Sequence, residues 1–367
     1  MGDHALQKVR RVSVPADQTR QATRTQCAGI DMEQVAVFEI IDPGILTTIQ
    51  DVGRFGFSQF GVPPSGAVDS FSLRVGNLLV GNDEGEAGLE TTIMGLKLKA
   101  LREVVIAITG GNLSPLLNRE PLELWRSHLL VEGDILTFKG VRAGCRAYLA
   151  IGGGIAVPKI MGSKSTFLSG KFGGLEGRAL KKGDVLCTED IPAPLDRIGI
   201  RFPSDWIPPL AKEAFLKVVL GPQDHHFTKL GLQTFQSSSY QVTPNSDRMG
   251  IRLEGPKIER RSRVEESIIS ESLVPGNVQV PGDGKPLIIL NESVTGGYTK
   301  IATVISTNLP KVAQLKPGDR IRFEVVSIEE AHRLYAQMSL GARDDAAAMQ
   351  FLIPGWKFDP KRPCFVR

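Results

Sequence analysis

The residues best suited to chemistry are polar side chains set in Gly- and Pro-rich segments, where neither a helix surface nor a strand surface accounts for them. Gln50, Asp51 and Arg54 occur in Gln50-Asp51-Val52-Gly53-Arg54, directly after an apolar run. The segment 61–66 (GVPPSG) then leads into a helical pattern carrying Asp69, Arg74 and Asn77 on its non-core side. A guanidinium in such a loop can clamp a carboxylate or a phosphoryl group. A helix start beside a Gly-rich turn also offers free backbone N–H groups to an anion. The competing reading is an Asp51–Arg54 pair that braces the turn. A second concentration lies over 246–315. Arg248 and Arg252 are four apart in 246–252 (SDRMGIR), on one side of a strand. There two forks converge on one anion, or two unrelated charges sit on a solvated face. Ser270-Glu271, Gln279 and Thr295-Gly296-Gly297-Tyr298 follow, then Gln314. The Thr-Gly-Gly-Tyr run reads as a tight turn whose N–H groups face an anion, or as a rim turn with Tyr298 packed into a core.

Conventional signatures fail on their spacing. Gly162-Ser163-Lys164-Ser165-Thr166 has Ser where a phosphate loop needs Gly before Lys, and it lacks the first Gly of that loop. Gly152-Gly153-Gly154 lacks the dinucleotide spacing and the helix that should follow it. His225 and His226 are adjacent, so in a strand they face opposite ways and cannot share a metal. No HExxH or GxSxG occurs. No metal ligand set is expected.

The elements that must position these residues are mainly strands. Gly 39 and Pro 23 among 367 residues favour short strands joined by turns. Strands are expected at 35–41, 104–109, 122–126, 135–138, 146–151, 198–202, 216–220, 251–253, 278–280, 287–290, 301–305 and 320–326. Helices are expected from Val68, Phe71, Val75, Leu78 and Leu79, which share one helical face, and from Ser327, where Ser327 and Glu330 form a capping-box pattern. Gly-Asp pairs at 133–134, 183–184 and 318–319 precede strands, a common turn that fits chance as well as internal duplication. The expected organisation is a mobile tail over 1–31, a β-rich domain over 32–195, a Pro-rich boundary, a second domain over 213–340 and an extension over 341–367. Met32 is the expected start of the folded part.

Lys and Arg total 44 against 40 Asp and Glu, a net +4 too dispersed to announce a nucleic-acid partner. The apolar runs are strand-sized and far short of a membrane span. Cys27, Cys145, Cys187 and Cys364 lack metal or disulfide-framework spacing, so four free thiols and a cytoplasmic location are expected.

The segments 43–54 (PGILTTIQDVGR), 61–69 (GVPPSGAVD), 77–82 (NLLVGN), 89–91 (LET), 162–166 (GSKST), 247–252 (DRMGIR), 279–281 (QVP), 295–298 (TGGY) and 313–319 (AQLKPGD) together resemble the biotin-dependent carboxyltransferase / allophanate-hydrolase-subunit-2 family. The resemblance covers about 35–330. It implies a mainly β, two-domain chain with a few helices, built on cyclophilin-like β-barrels. It also implies work beside sister subunits, in the 5-oxoprolinase case the homologues of its A-type and B-type subunits. The implied reaction is ATP-dependent opening of the 5-oxo-L-proline lactam to L-glutamate, with ATP and Mg²⁺ as cofactors. Arg54, Arg248 and Glu271 are then the candidate catalytic residues. Gln50, Asp51, Asn77, Arg252, Gln279, Thr295, Gly296, Gly297, Tyr298 and Gln314 are the candidates for binding the small-molecule substrate. Two alternatives follow from the same resemblance: half of a biotin-dependent carboxyltransferase, with biotin carried elsewhere, and a non-enzymatic antagonist of a kinase inhibitor. One departure stands out. The family's Asp-x-Gln-Thr-Thr-Gly-Gly-Tyr pattern has Asn291 in place of Asp and Ser293 in place of Gln.

Overall fold

The computed structural model describes residues 34–189, 194–261, 267–344, 357–359 and 364–366. The tail expected over 1–31 and much of the extension expected over 341–367 lie outside them. The first half runs β1 (Gln34–Pro43), β2 (Leu46–Gln50), α1 (Ser70–Leu79), β3 (Gly88–Thr92), β4 (Leu96–Ala100), β5 (Val104–Asn112), β6 (Pro115–Leu117), β7 (Glu120–Pro121), β8 (Ser127–Leu130), β9 (Ile135–Phe138), β10 (Ala143–Ile151) and β11 (Val185–Glu189). They form two antiparallel sheets, in the orders β11-β1-β4-β9-β6-β7 and β2-β3-β10-β5-β8. Phe38, Ile40, Leu98 and Leu136 of one sheet pack on Ile49, Leu89, Ile106 and Leu149 of the other. The outer face of the second sheet is covered as well: Val75, Leu78 and Leu79 of α1 lie with Trp125 and Phe202 against Val105, Ala107 and Ala150. A strand covered on both faces reads as an unbroken apolar run, which is why 104–108 shows no alternation.

The second half continues with β12 (Glu213–Leu220), α2 (Lys229–Ser237), β13 (Tyr240–Val242), β14 (Gly250–Glu254), β15 (Ser267–Ser272), β16 (Asn277–Val280), β17 (Leu287–Ile289), β18 (Thr295–Val304), α3 (Leu309–Ala313), β19 (Arg320–Val325) and α4 (Ile328–Asp344). Seven strands close into a barrel in the order β12-β19-β13-β14-β17-β16-β18, with β18 returning to β12 and β15 added outside on β18. Closure removes the open edges of the seven and lets alternate residues fill one interior. Leu216, Val218, Ile288, Ile301, Ile321 and Phe323 do so, and Phe235 of α2 stacks on Phe323 with ring centroids 4.4 Å apart. The mainly β architecture with few helices is therefore as expected.

Several local expectations change. The extended run expected over 122–126 is interrupted at Trp125, whose φ of +59° turns the chain, and the strand forms at β8 instead. Over 198–202 a single bridge from Arg201 to Arg126 stands where a strand is expected. All three Gly-Asp turns share one design. The backbone N–H groups of Val131, Lys181 and Lys316 donate to the carboxylates of Asp134, Asp184 and Asp319 at 2.8, 2.7 and 3.1 Å, and each glycine has a positive φ. Cys187 is disulfide-bonded, which corrects the expectation of four free thiols and removes its support for a reducing compartment. Cys145 is free and buried. Among the described residues no helix is long and apolar enough to cross a membrane.

Candidate functional site

The two halves meet along residues 65–69, each of which touches the barrel half. The Ser65 N–H donates to the Asn291 carbonyl at 3.0 Å, and the Gly66 carbonyl accepts from Arg248 Nη2 at 2.6 Å. The Ala67 carbonyl accepts from Asn291 Nδ2 at 3.1 Å, Val68 enters the barrel core, and Asp69 accepts from Gln314 Nε2 at 2.8 Å. Gly66 fits this strap because a Cβ there would lie 2.8 Å from Gly53 Cα. Asn291 also explains its departure from the family pattern. Its amide donates to Ala67, which an ionised Asp cannot do.

Behind the strap lies a chain of buried charges. Glu90 on β3 pairs with Arg248 through Oε1 and lies 3.8 Å from Arg146 Nε of β10. Its Oε2 accepts from the Tyr148 hydroxyl at 2.7 Å and the Val68 N–H at 2.9 Å. Arg248 Nε donates to Glu292 at 2.7 Å. Burial pushes the Glu90 carboxyl up, but Arg248 and Arg146 outweigh it, and the group lies below its ordinary value. Burial alone depresses the Arg248 guanidinium, whereas Glu90 and Glu292 more than reverse this and raise it. Asp69 caps α1 by accepting from the Ser72 N–H at 3.1 Å, and burial raises its carboxyl.

Arg54 sits beside this chain, 1% exposed. Its Nη2 donates to the Ser165 carbonyl, and the Phe172 ring lies 4.8 Å from its guanidinium carbon. Among the described residues its Nε and Nη1 have no partner. Burial lowers its guanidinium, and the charges of Asp51 and Glu292 partly restore it. Arg248 pairs with Glu292, whose charge also acts on Arg54 from the other half of the chain. Asp51 engages the 163–165 segment, accepting from Gly53 N–H (2.8 Å), Ser163 Oγ (2.7 Å) and Lys164 N–H (2.6 Å). Gln50 Nε2 donates to Thr48 Oγ1 at 3.0 Å and the Thr166 carbonyl at 3.2 Å, leaving Oε1 without a partner among the described residues.

The other candidates divide into braces and a second cluster. Gln314 is saturated: Nε2 donates to Asp69 and to the Arg146 carbonyl, and Oε1 accepts from the Cys145 and Arg146 N–H groups at 3.0 and 3.1 Å. Asn77 and Asp69 are buried, correcting their placement on the non-core side. Asn77 donates to the Glu84 and Glu86 carbonyls and accepts from Asn82, which ties the end of α1 to the following turn. Arg248 and Arg252 do not converge. Arg248 precedes β14 and turns into the first half, whereas Arg252 obeys the strand's alternation and is exposed. Thr295-Gly296-Gly297-Tyr298 is the start of β18 paired with β15, not a tight turn, and Tyr298 is exposed, not a core aromatic. Next to it Gln279 donates to the Tyr298 carbonyl at 3.1 Å, and Glu271 pairs with Lys300 at 2.6 Å and accepts from Gln223 at 3.0 Å. Hydrogen bonds from Lys300 and Gln223 hold the Glu271 carboxyl below its usual value. Among the described residues no group of three or more His, Cys, Asp or Glu side chains is arranged to hold a metal.

Comparison with known proteins places this geometry in context. The carboxyltransferase domain family, subdomains A and B, matches residues 60–325. The C-type subunit of the 5-oxoprolinase of Escherichia coli K12 is 37% identical over 298 residues, covering 80% of this chain and 93% of that protein. The urea amidolyase of Lachancea kluyveri is 37% identical over 317 residues, covering 81% of this chain but 17% of that protein. The crystal structure of Kluyveromyces lactis urea carboxylase superposes with a TM-score of 0.79 at 36% identity, covering 86% of this chain and 29% of that one.

Proposed function

Because the chain belongs to the carboxyltransferase domain family, subdomains A and B, we propose that it is the C-type subunit of an ATP-dependent 5-oxoprolinase, which opens 5-oxo-L-proline to L-glutamate with sister subunits of the A and B types. The observation that carries this reading is the extent of the match: it accounts for 93% of a C-type 5-oxoprolinase subunit, against 17% of a urea amidolyase.

A lactam is a poor electrophile, and ATP supplies its activation. The loop whose sequence most resembles a phosphate cradle does not fit the nucleotide. In Gly162–Thr166, where a phosphate cradle would need free donors, the Lys164 N–H and the Ser163 hydroxyl are held by Asp51, and Lys164 Nζ is paired with Glu86 at 2.6 Å. We therefore assign ATP and Mg²⁺ to the partner chains. The part left to this chain is to bind and orient the substrate at the junction of its halves, where a buried guanidinium acts in a low dielectric.

The purified chain should show negligible 5-oxoproline-dependent ATP hydrolysis, and activity should appear on adding the A-type and B-type homologues. Turnover by the chain alone would overturn the subunit role. The likeness to urea carboxylase favours a second reading, half of a biotin-dependent carboxyltransferase. A requirement for biotin and bicarbonate in the reconstituted complex would put it first.

A further inference from the structure

We infer that Arg54 is the receptor for a planar carboxylate, held in the plane of the guanidinium by one of its two-donor edges, with Gln50 and Ser65 as neighbouring polar walls. That the carboxylate is the one on 5-oxo-L-proline rests on the proposed function; the receptor itself does not.

Buried donors without partners are rare because each forfeits its hydration for nothing. Arg54 has them on two of three nitrogens, Nε and Nη1. Its single hydrogen bond, from Nη2 to the Ser165 carbonyl, uses one of five N–H groups. If that bond takes the Nη2 hydrogen on the Nε side, the edge formed by Nη1 and Nη2 stays open. If it takes the other, the edge formed by Nε and Nη2 stays open. Either way one complete fork is left, the geometry that two coplanar carboxylate oxygens match. Phe172 covers one face of the guanidinium, so the partner approaches in the plane. The charges of Asp51 and Glu292 act on the same group, which disfavours a dianionic phosphate and suits a monoanion.

Gln50 Oε1 and Ser65 Oγ, in the segments that flank Arg54, are also buried and lack partners among the described residues. Gln50 donates both amide hydrogens to Thr48 and Thr166, so its free oxygen can only accept, and a ligand N–H such as that of a lactam satisfies it. Both residues belong to segments that touch at the Arg54 N–H and the Pro64 carbonyl, 2.7 Å apart. Beyond Arg54 the chain is exposed at Phe55 and Phe60 and bracketed by Gly56 and Gly61, both at positive φ in open space.

Calorimetric titration of the full chain, alone and assembled with the A-type and B-type homologues, tests this with 5-oxo-L-proline, 5-oxo-L-prolinamide and bicarbonate. The acid should bind, and the amide should bind about 10- to 100-fold more weakly, the worth of a charge-assisted bidentate pair. Arg54→Lys keeps the cation over Phe172 but loses the fork, and should lose affinity for the acid by a similar factor. Ser65→Ala, expected to weaken the acid several-fold, serves if Arg54→Lys does not fold. An amide as tight as the acid, or normal binding by a folded Arg54→Lys, would overturn the receptor even if the complex hydrolyses 5-oxoproline. Arg54-dependent binding of bicarbonate without binding of 5-oxoproline would keep the receptor and move the reaction to carboxyl transfer.

Discussion

Arg248 and Arg54 bring the same charge to the same junction and differ in what meets it. Each nitrogen of Arg248 has an acceptor, from Glu292, Glu90 or the Gly66 carbonyl, so none of its nitrogens is left without a partner, in contrast to Arg54. Replacement of Arg248 by Ala leaves Glu292 buried without its ion pair and Glu90 with Arg146 alone. Such a loss costs about 3–5 kcal/mol, whereas Arg252→Ala, on an exposed strand face, should stay within about 0.5 kcal/mol. Denaturant unfolding of the two variants measures the contrast, and equal losses would refute a structural role for Arg248. The same contrast sets what can be read from the sequence. Arg54, Arg248, Asp51 and Gln314 are legible because polar residues in Gly- and Pro-rich loops need a reason to be there. Glu90, Arg146 and Glu292 are not. One charge in a strand or loop reads as solvated surface, and the partner that buries Glu90 is 158 positions away. The only local hint is a charge flanked by apolar and β-branched residues, as in Leu89-Glu90-Thr91.

At the scale of elements, three glycines form the floor on which Gln314 reads the backbone of β10. A Cβ on Gly111 or Gly144 would lie 2.9 or 2.7 Å from Gln314 Oε1, and one on Gly110 would lie 3.2 Å from Nε2. Gly144 also has a φ of +76°. Gly144→Ala should therefore combine backbone strain of roughly 1–3 kcal/mol with displacement of Gln314. Gly133→Ala is the control, since its φ is +92° but a Cβ there meets nothing within 4 Å. Hydrogen exchange separates the two effects. Only Gly144→Ala should expose the Cys145 and Arg146 amides, and protection kept in both variants would refute the floor. Elements with strong local patterns are legible: α1 from its apolar stripe, and the start of α4 from Ser327, whose hydroxyl accepts from the Glu330 N–H at 3.2 Å. Helix α2 escapes a reading by periodicity because its nine residues bury only Gly231 and Phe235. The Thr-Gly-Gly-Tyr run misleads because paired glycines mark turns, yet here they leave room for Gln279 and β15: a Cβ on Gly296 would lie 2.8 Å from Gln279 Nε2.

The whole molecule has an apolar core in each half and a junction that joins them largely through buried polar groups, with Val68 reaching from one half into the core of the other. Apolar cores are indifferent to pH, so acid should act on the junction first. Glu90 lies below the ordinary glutamate value of 4.5 in the folded chain. Its contribution is thus complete above about pH 4.5 and is lost as pH falls through its lower, folded-state value. Asp69 has the opposite sign. Its carboxyl is raised by burial, so its proton is held more tightly in the folded chain and its contribution grows on acidification. That opposes the loss at Glu90 without removing Arg248 and Arg146 from a neutralised partner. Calorimetry at pH 7 should then show one cooperative transition, with the halves coupled. Below pH 4.5 the junction should melt before the cores and split the transition in two. Glu90→Gln should be less stable at pH 7, because Arg248 keeps Glu292 but loses one of its two charge partners, and should change less between pH 7 and pH 3 than the parent chain. Parallel pH profiles for the two proteins would show that the coupling lies elsewhere.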